Sequence, residues 1–175
     1  MDRLHNLIAE ARRLESLSMA IYVRFAQRFS EQPDLHRFWM SMARHEAGHV
    51  GALELLQVMV DVAAAPPAVG QTEAAVADGA RTIESLEEKS RADVDIRTAF
   101  DIAVELEATE LEDLVLDLVH GLTDSAQRDQ AIQMIVHDLS DLSLMIEKHT
   151  SDDDLLARAD ALVERHVSRL SLIHI

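Results

Sequence analysis

Proline occurs only at Pro33, Pro66 and Pro67, and between these breaks apolar residues recur at steps of three to five, the spacing that lays one apolar stripe along an α-helix. A chain of this pattern has few options other than long helices packed on one another. Leu7, Ala11, Leu14, Met19, Tyr22, Phe25 and Phe29 make the first stripe, which predicts a helix from about Arg3 to Phe29. The segment Ser30 to Asp34 breaks it. Pro33 is well placed to open a second helix, because the first turn needs no amide hydrogen there. That helix is expected over Pro33 to Val62, antiparallel to the first because the break between them is short. Residues 63–70, with Pro66, Pro67 and Gly70, form the clearest linker, and Gln71 to Ala92 reads as one or two short helical pieces. A third helix is predicted from about Asp95 to His120, with Gly121 as its stop, and a fourth from Ser125 to Thr150. A fifth runs from Leu155 to about Leu170, opened by the capping sequence Ser151 to Asp154. The expected fold is all-α. Two antiparallel hairpins joined by a crossover over residues 63–94 make a four-helix bundle across residues 1–150, and residues 151–175 pack on it as a C-terminal helix.

Composition sets the function classes that remain. With 175 residues, 48% of them hydrophobic, the chain suits one domain with a substantial core. Asp and Glu number 32 against 16 Lys and Arg, a formal net charge of -16 with no basic run, which argues against a nucleic-acid partner. There is no cysteine, so thiolate nucleophiles, disulfides and sulfur-ligated zinc or iron–sulfur sites are excluded. Any metal must be held by nitrogen and oxygen. Met1 to Glu15 lacks the apolar core of a signal peptide, and no stretch approaches the ~18 apolar residues of a membrane span, so a cytoplasmic protein without a membrane partner is expected.

The second predicted helix carries Glu46-Ala47-Gly48-His49, an E-x-x-H spacing that sets a carboxylate and an imidazole one turn apart on one helix face. By itself this is a common pattern. Its context is an internal repeat: shifting the first hairpin by 92 residues brings Ala11 onto Ala103, Leu14 onto Leu106 and Glu15 onto Glu107. The same shift brings Met42 onto Met134, His45 onto His137, Glu46 onto Asp138 and His49 onto Asp141. Each half therefore reads as one hairpin with its acidic residues at the same height, directing Glu15, Glu46, His49, Glu107, Asp138 and Asp141 toward the bundle interior. Several carboxylates share a low-dielectric interior only if protonated or neutralised by a cation. A metal is the economical neutraliser, and oxygen-rich ligation suits iron or manganese, with zinc left open.

This arrangement resembles the ferritin-like superfamily, and most closely its rubrerythrin branch, over about Arg3 to Thr150. The resemblance implies a di-iron centre held by a Glu from each of two helices and an E-x-x-H from each of the other two. It implies metal ligation by Glu15, Glu46, His49, Glu107, Asp138 and Asp141, with Glu110, one turn after Glu107, as an additional carboxylate and Tyr22 as a tyrosine near the site. The implied activity is that of a non-haem di-iron oxidoreductase, a peroxidase or ferroxidase acting on peroxide or dioxygen.

Two departures qualify this picture. The fourth helix reads Asp138-Leu139-Ser140-Asp141, so the second imidazole is lost and each carboxylate is shorter by one methylene, of the order of 1.5 Å. The rubredoxin-like iron domain of rubrerythrins needs cysteines and is absent, so electrons would come from an external electron-transfer protein. The alternative function is a non-catalytic metal-binding or structural module with a degenerate site, holding a single ion such as zinc or none. The apolar tail Leu170 to Ile175 and the apolar helix faces predict a homodimer. His5, His36, His120, His149, His166 and His174 have no counterpart in the repeat and read as surface or satisfied residues, and Glu84 to Lys89 reads as a solvated face.

Overall fold

The computed structural model describes residues 2–62, 72–109 and 125–172. These form six α-helices: α1 (Asp2–Arg28), α2 (Pro33–Val62), α3 (Thr72–Ser90), α4 (Ile96–Glu107), α5 (Ser125–His149) and α6 (Asp153–Leu172). No strand occurs among the described residues. None of the described helices is long and apolar enough to cross a membrane. The helices fall into two compact units, α1 to α3 and α4 to α6.

In the first unit α1 packs against both α2 and α3. The turn of residues 29–32 reverses the chain, with the Phe29 amide donating to the Phe25 carbonyl and the Gln32 amide to that of Phe29. The two helices are then pinned at both ends. His5 Nε2 lies 2.6 Å from Asp61 Oδ1, and His36 Nδ1 donates to the Ala26 carbonyl at 2.8 Å. Between these ties Ile8, Ala11, Leu14, Ile21 and Phe25 of α1 are buried with Leu35, Trp39, Leu53 and Leu56 of α2. Trp39 anchors an aromatic cluster, with ring centroids 5.9 Å from Tyr22, 5.1 Å from Phe25 and 4.7 Å from Phe38. Aromatic side chains bury large apolar areas, so this end of the hairpin is its densest hydrophobic anchor.

The crossover segment differs from the expectation of one or two short pieces. Residues 72–90 form a single helix of 19 residues. Val76, Ile83 and Leu86 supply a narrow buried stripe, and charge pairs with α1 supply the rest. Arg13 reaches Glu84 at 2.6 Å, while Arg24 donates to Glu87 at 2.5 Å and to the Ser90 hydroxyl at 2.6 Å. Glu87 is buried, so the 84–89 stretch is a packed and partly ion-paired face, not a wholly solvated one. The order of these pairs along both helices shows that α1 and α3 run parallel.

In the second unit α5 packs mainly on α6, and α4 touches both. The Asp95 carboxylate caps α4 by accepting the Thr98 amide at 2.7 Å, and Asp152 caps α6 by accepting that of Leu155 at 2.9 Å. Asp152 also takes Arg97 at 2.6 Å, and Arg158 of α6 reaches Asp101 of α4 at 2.6 Å. Leu139, Leu142 and Ile146 of α5 meet the buried face of α6, Leu155, Ala159 and Leu162. The third predicted helix is shorter than its apolar pattern suggests. Its last described hydrogen bond is donated by the Ala108 amide to the Val104 carbonyl, and the final turn holds Glu105 and Glu107 with no basic residue to favour the negative helix end. Residues 110–120, the rest of that predicted helix, lie outside the described residues, as does its expected stop Gly121.

Candidate metal centre

The antiparallel register of α1 and α2 decides which polar groups meet in the interior of the first hairpin. Glu15 lies midway along α1, and Glu46 and His49 lie one turn apart on α2. The carboxylate-bearing side chains are 2% and 5% exposed for Glu15 and Glu46, against 20% for His49. Ala11, Leu14, Met42 and Ala43 flank them along the two helices and are buried too, so water does little to solvate these charges. His49 Nδ1 faces both carboxylates, 3.4 Å from Glu15 Oε2 and 3.5 Å from Glu46 Oε2. These separations allow charge attraction without a formed hydrogen bond. Glu15 Oε1 and His49 Nδ1 are buried with no hydrogen-bond partner. One ligand atom from each of the three residues lies within 4.8 Å of the others.

Electrostatics at this cluster are strained in the absence of a cation. Burial is the main force on Glu46, and the neighbouring Glu15 carboxylate adds to it, so its carboxyl is pushed from 4.5 up to about 8. For His49, burial disfavours the imidazolium, but Glu15 and Glu46 outweigh that and hold its pKa well above 6.5. Both shifts favour the protonated forms of Glu46 and His49, and protons held there offset the negative charge of the group. A divalent cation would displace those protons, freeing the His49 Nδ1 lone pair, and would give the unpartnered atoms Glu15 Oε1 and His49 Nδ1 a common partner. Two carboxylates and one imidazole with no sulfur suit iron or manganese, and also zinc, and these three side chains fit such an ion.

The other residues expected at the centre are differently placed. Glu107 is buried at the last position of α4, and Asp138 and Asp141 are half-buried on α5, all three in the second unit. Among the described residues, Glu15, Glu46 and His49 are the one convergent group of three or more metal-ligating side chains. Glu110 lies outside the described residues. Tyr22 is fully buried two turns along α1 from Glu15, with its ring stacked on Trp39.

His45, which the repeat pairs with His137, lies beside the centre although the repeat gave it no role there. The His45 ring stacks on that of His49, with centroids 5.9 Å apart and planes inclined by 22°. The signal was present in the sequence as His45-Glu46-Ala47-Gly48-His49, an H-E-x-x-H run whose histidines lie on one helix face. In zinc hydrolases with that motif the two imidazoles bind the metal and the glutamate stays outside as a base. Here Glu46 is turned into the interior beside Glu15, and it is the glutamate, with His49, that joins the convergent group. No protein-family profile, curated protein or solved structure matches the chain.

Proposed function

We propose that the chain is a ferritin-like, rubrerythrin-like metal protein whose first hairpin holds a divalent cation on Glu15, Glu46 and His49. The observation that carries this reading is the buried Glu-Glu-His group with two buried polar atoms that lack a hydrogen-bond partner, set at the spacing found by the sequence repeat. Support for the ferritin-like bundle comes from the all-helical architecture, the antiparallel α1–α2 hairpin and the preserved burial of Glu107 at the position equivalent to Glu15. In this proposal Glu107, Glu110, Asp138 and Asp141 supply a second half-site, and the function is that of a di-iron oxidoreductase acting on peroxide or dioxygen with an external electron donor. Iron, when bound, supplies the redox chemistry. The chain's own contribution is to orient carboxylate and imidazole donors, to exclude water through the apolar flank of Ala11, Leu14 and Met42, and to release protons from Glu46 and His49 as the ion binds. A cytoplasmic setting and homodimeric assembly belong to the same proposal, and sedimentation at micromolar concentration tests the latter.

A second reading is favoured by a specific observation. Only one three-ligand group occurs among the described residues, and it needs nothing from the second unit. On this reading the protein holds a single ion, such as zinc, without turnover. Metal analysis of protein purified from its own host separates the two. Two iron ions per chain, with peroxide or Fe(II) consumption lost in Glu46→Ala, supports the oxidoreductase; one ion or fewer per chain, with no consumption above that variant, supports the single-ion module.

A further inference from the structure

The two carboxylates of the centre are almost wholly buried, whereas the His49 side chain keeps 20% of its surface exposed and His45, one turn away on the same face of α2, is half-buried. The imidazoles are therefore the part of this cluster that solvent reaches. His49 turns Nδ1 toward Glu15 and Glu46 and lies stacked against the His45 ring. As stacked, the two rings aim their nitrogens side by side, and rotation of the half-buried His45 side chain would let both histidines present nitrogen donors to one ion, as this helical spacing permits. A hydrated cation moving toward the carboxylates must shed water before it reaches them, and imidazole nitrogens can replace those waters one at a time.

From this we propose that His45 is the gateway ligand of the centre: it captures a divalent cation together with His49 and passes it inward to Glu15 and Glu46. The ion class follows from the donors. Imidazole capture favours Fe(II), Co(II), Ni(II) and Zn(II) over Mg(II) and Ca(II), which bind oxygen and part from water less readily in favour of nitrogen. His45 thus filters which ions reach an interior whose carboxylates alone discriminate poorly. This inference rests on the metal-binding reading above, and it adds a role that the convergent group itself does not contain.

Co(II) tests it, because its visible absorbance reports ligation without any turnover. In stopped-flow mixing with the full chain, His45→Ala and His45→Phe should each slow Co(II) loading by about tenfold or more, the loss of one modest ligand contact at the barrier. His45→Phe keeps a stacked ring and removes the nitrogens, so it separates ligation from packing. Release of Co(II) to excess EDTA should slow by the same factor in both variants. Loading of His45→Phe at the wild-type rate would overturn the gateway role, and so would loss of equilibrium binding, which would make His45 a resident ligand. Failure of wild-type protein to bind Co(II) at all would instead bring down the metal-binding reading, and the gateway with it.

Discussion

The α1–α2 hairpin and the α4–α5 pair begin from matching sequence and end in different environments. Along α1 and α4 the correspondence is kept: Ala11 and Ala103, Leu14 and Leu106, Glu15 and Glu107 are buried in both. Along α2 and α5 it is lost. Met42 is 3% exposed but Met134 is 51% exposed, and buried Glu46 corresponds in the repeat to Asp138, which is half-buried. The aromatic residues explain part of the divergence. Five of the six lie in the first hairpin, where Trp39 packs against Tyr22, Phe25 and Phe38, and the second unit has Phe100 alone. A wide aromatic anchor holds two long helices close enough to bury carboxylates between them, and the second pair has no equivalent.

The comparison can be broken at its anchor first. Trp39→Ala should destabilise the first unit by about 3–5 kcal/mol, the loss expected for a large buried aromatic. If the units unfold separately, calorimetry will show one transition moving down and the other unmoved; a single shifted transition would mean that the two regions are one cooperative body. Met42→Ala should cost about 2–5 kcal/mol, while the equivalent Met134→Ala should change stability by no more than about 0.5 kcal/mol in urea denaturation. Equal losses would restore the symmetry of the repeat.

Metal binding sharpens the same contrast. Glu46→Gln should weaken Co(II) affinity by roughly 100-fold or more, whereas the paired change Asp138→Asn with Asp141→Asn should weaken it by less than about tenfold. Comparable losses from both would establish a shared centre. The protonation of the first hairpin gives the gentlest test. Because Glu46 titrates at about 8 when folded, against 4.5 ordinarily, the metal-free folded state holds the extra proton between these values, and stability falls as pH rises across that window. His49, held well above 6.5, acts in the same direction at higher pH. Thermal melts of metal-free protein from pH 5 to 9 should show this decline, and Glu46→Gln should flatten its lower part. Metal binding runs the other way. Displacing the Glu46 and His49 protons makes affinity rise with pH, by up to about 100-fold per unit while both are protonated.

Much of the first hairpin was legible in the sequence. Pro33 and the prolines at 66 and 67 bracket α2, and the E-x-x-H spacing together with Glu15 marks the three residues that converge. What escaped depended on partners from elsewhere in the chain. The segment 72–90 reads as helical from its sequence, but it has too few large apolar residues to declare one continuous helix, which is held by Arg13 and Arg24 reaching across from α1. Glu87 looked like solvated surface because a buried carboxylate is recognisable only once Arg24 and Arg91 are beside it. His45 appears in the repeat opposite His137 but falls outside the E-x-x-H pair, although its stacking on His49 follows from a four-residue helical spacing.

The sequence by itself determined that the chain is helical, where α1 and α2 lie and which of their residues share a helix face, since a period of 3.6 residues and a proline's missing amide are local properties. It also determined that any metal would meet oxygen and nitrogen alone. Only the tertiary structure decided which of the 32 acidic residues lose their water. Periodicity assigns a side chain to a face, but what covers that face is set by distant helices. For Glu15, Glu46 and His49 the register of α1 against α2 supplies that cover, and with it the shifted pKa values of Glu46 and His49 and the unpartnered buried atoms Glu15 Oε1 and His49 Nδ1.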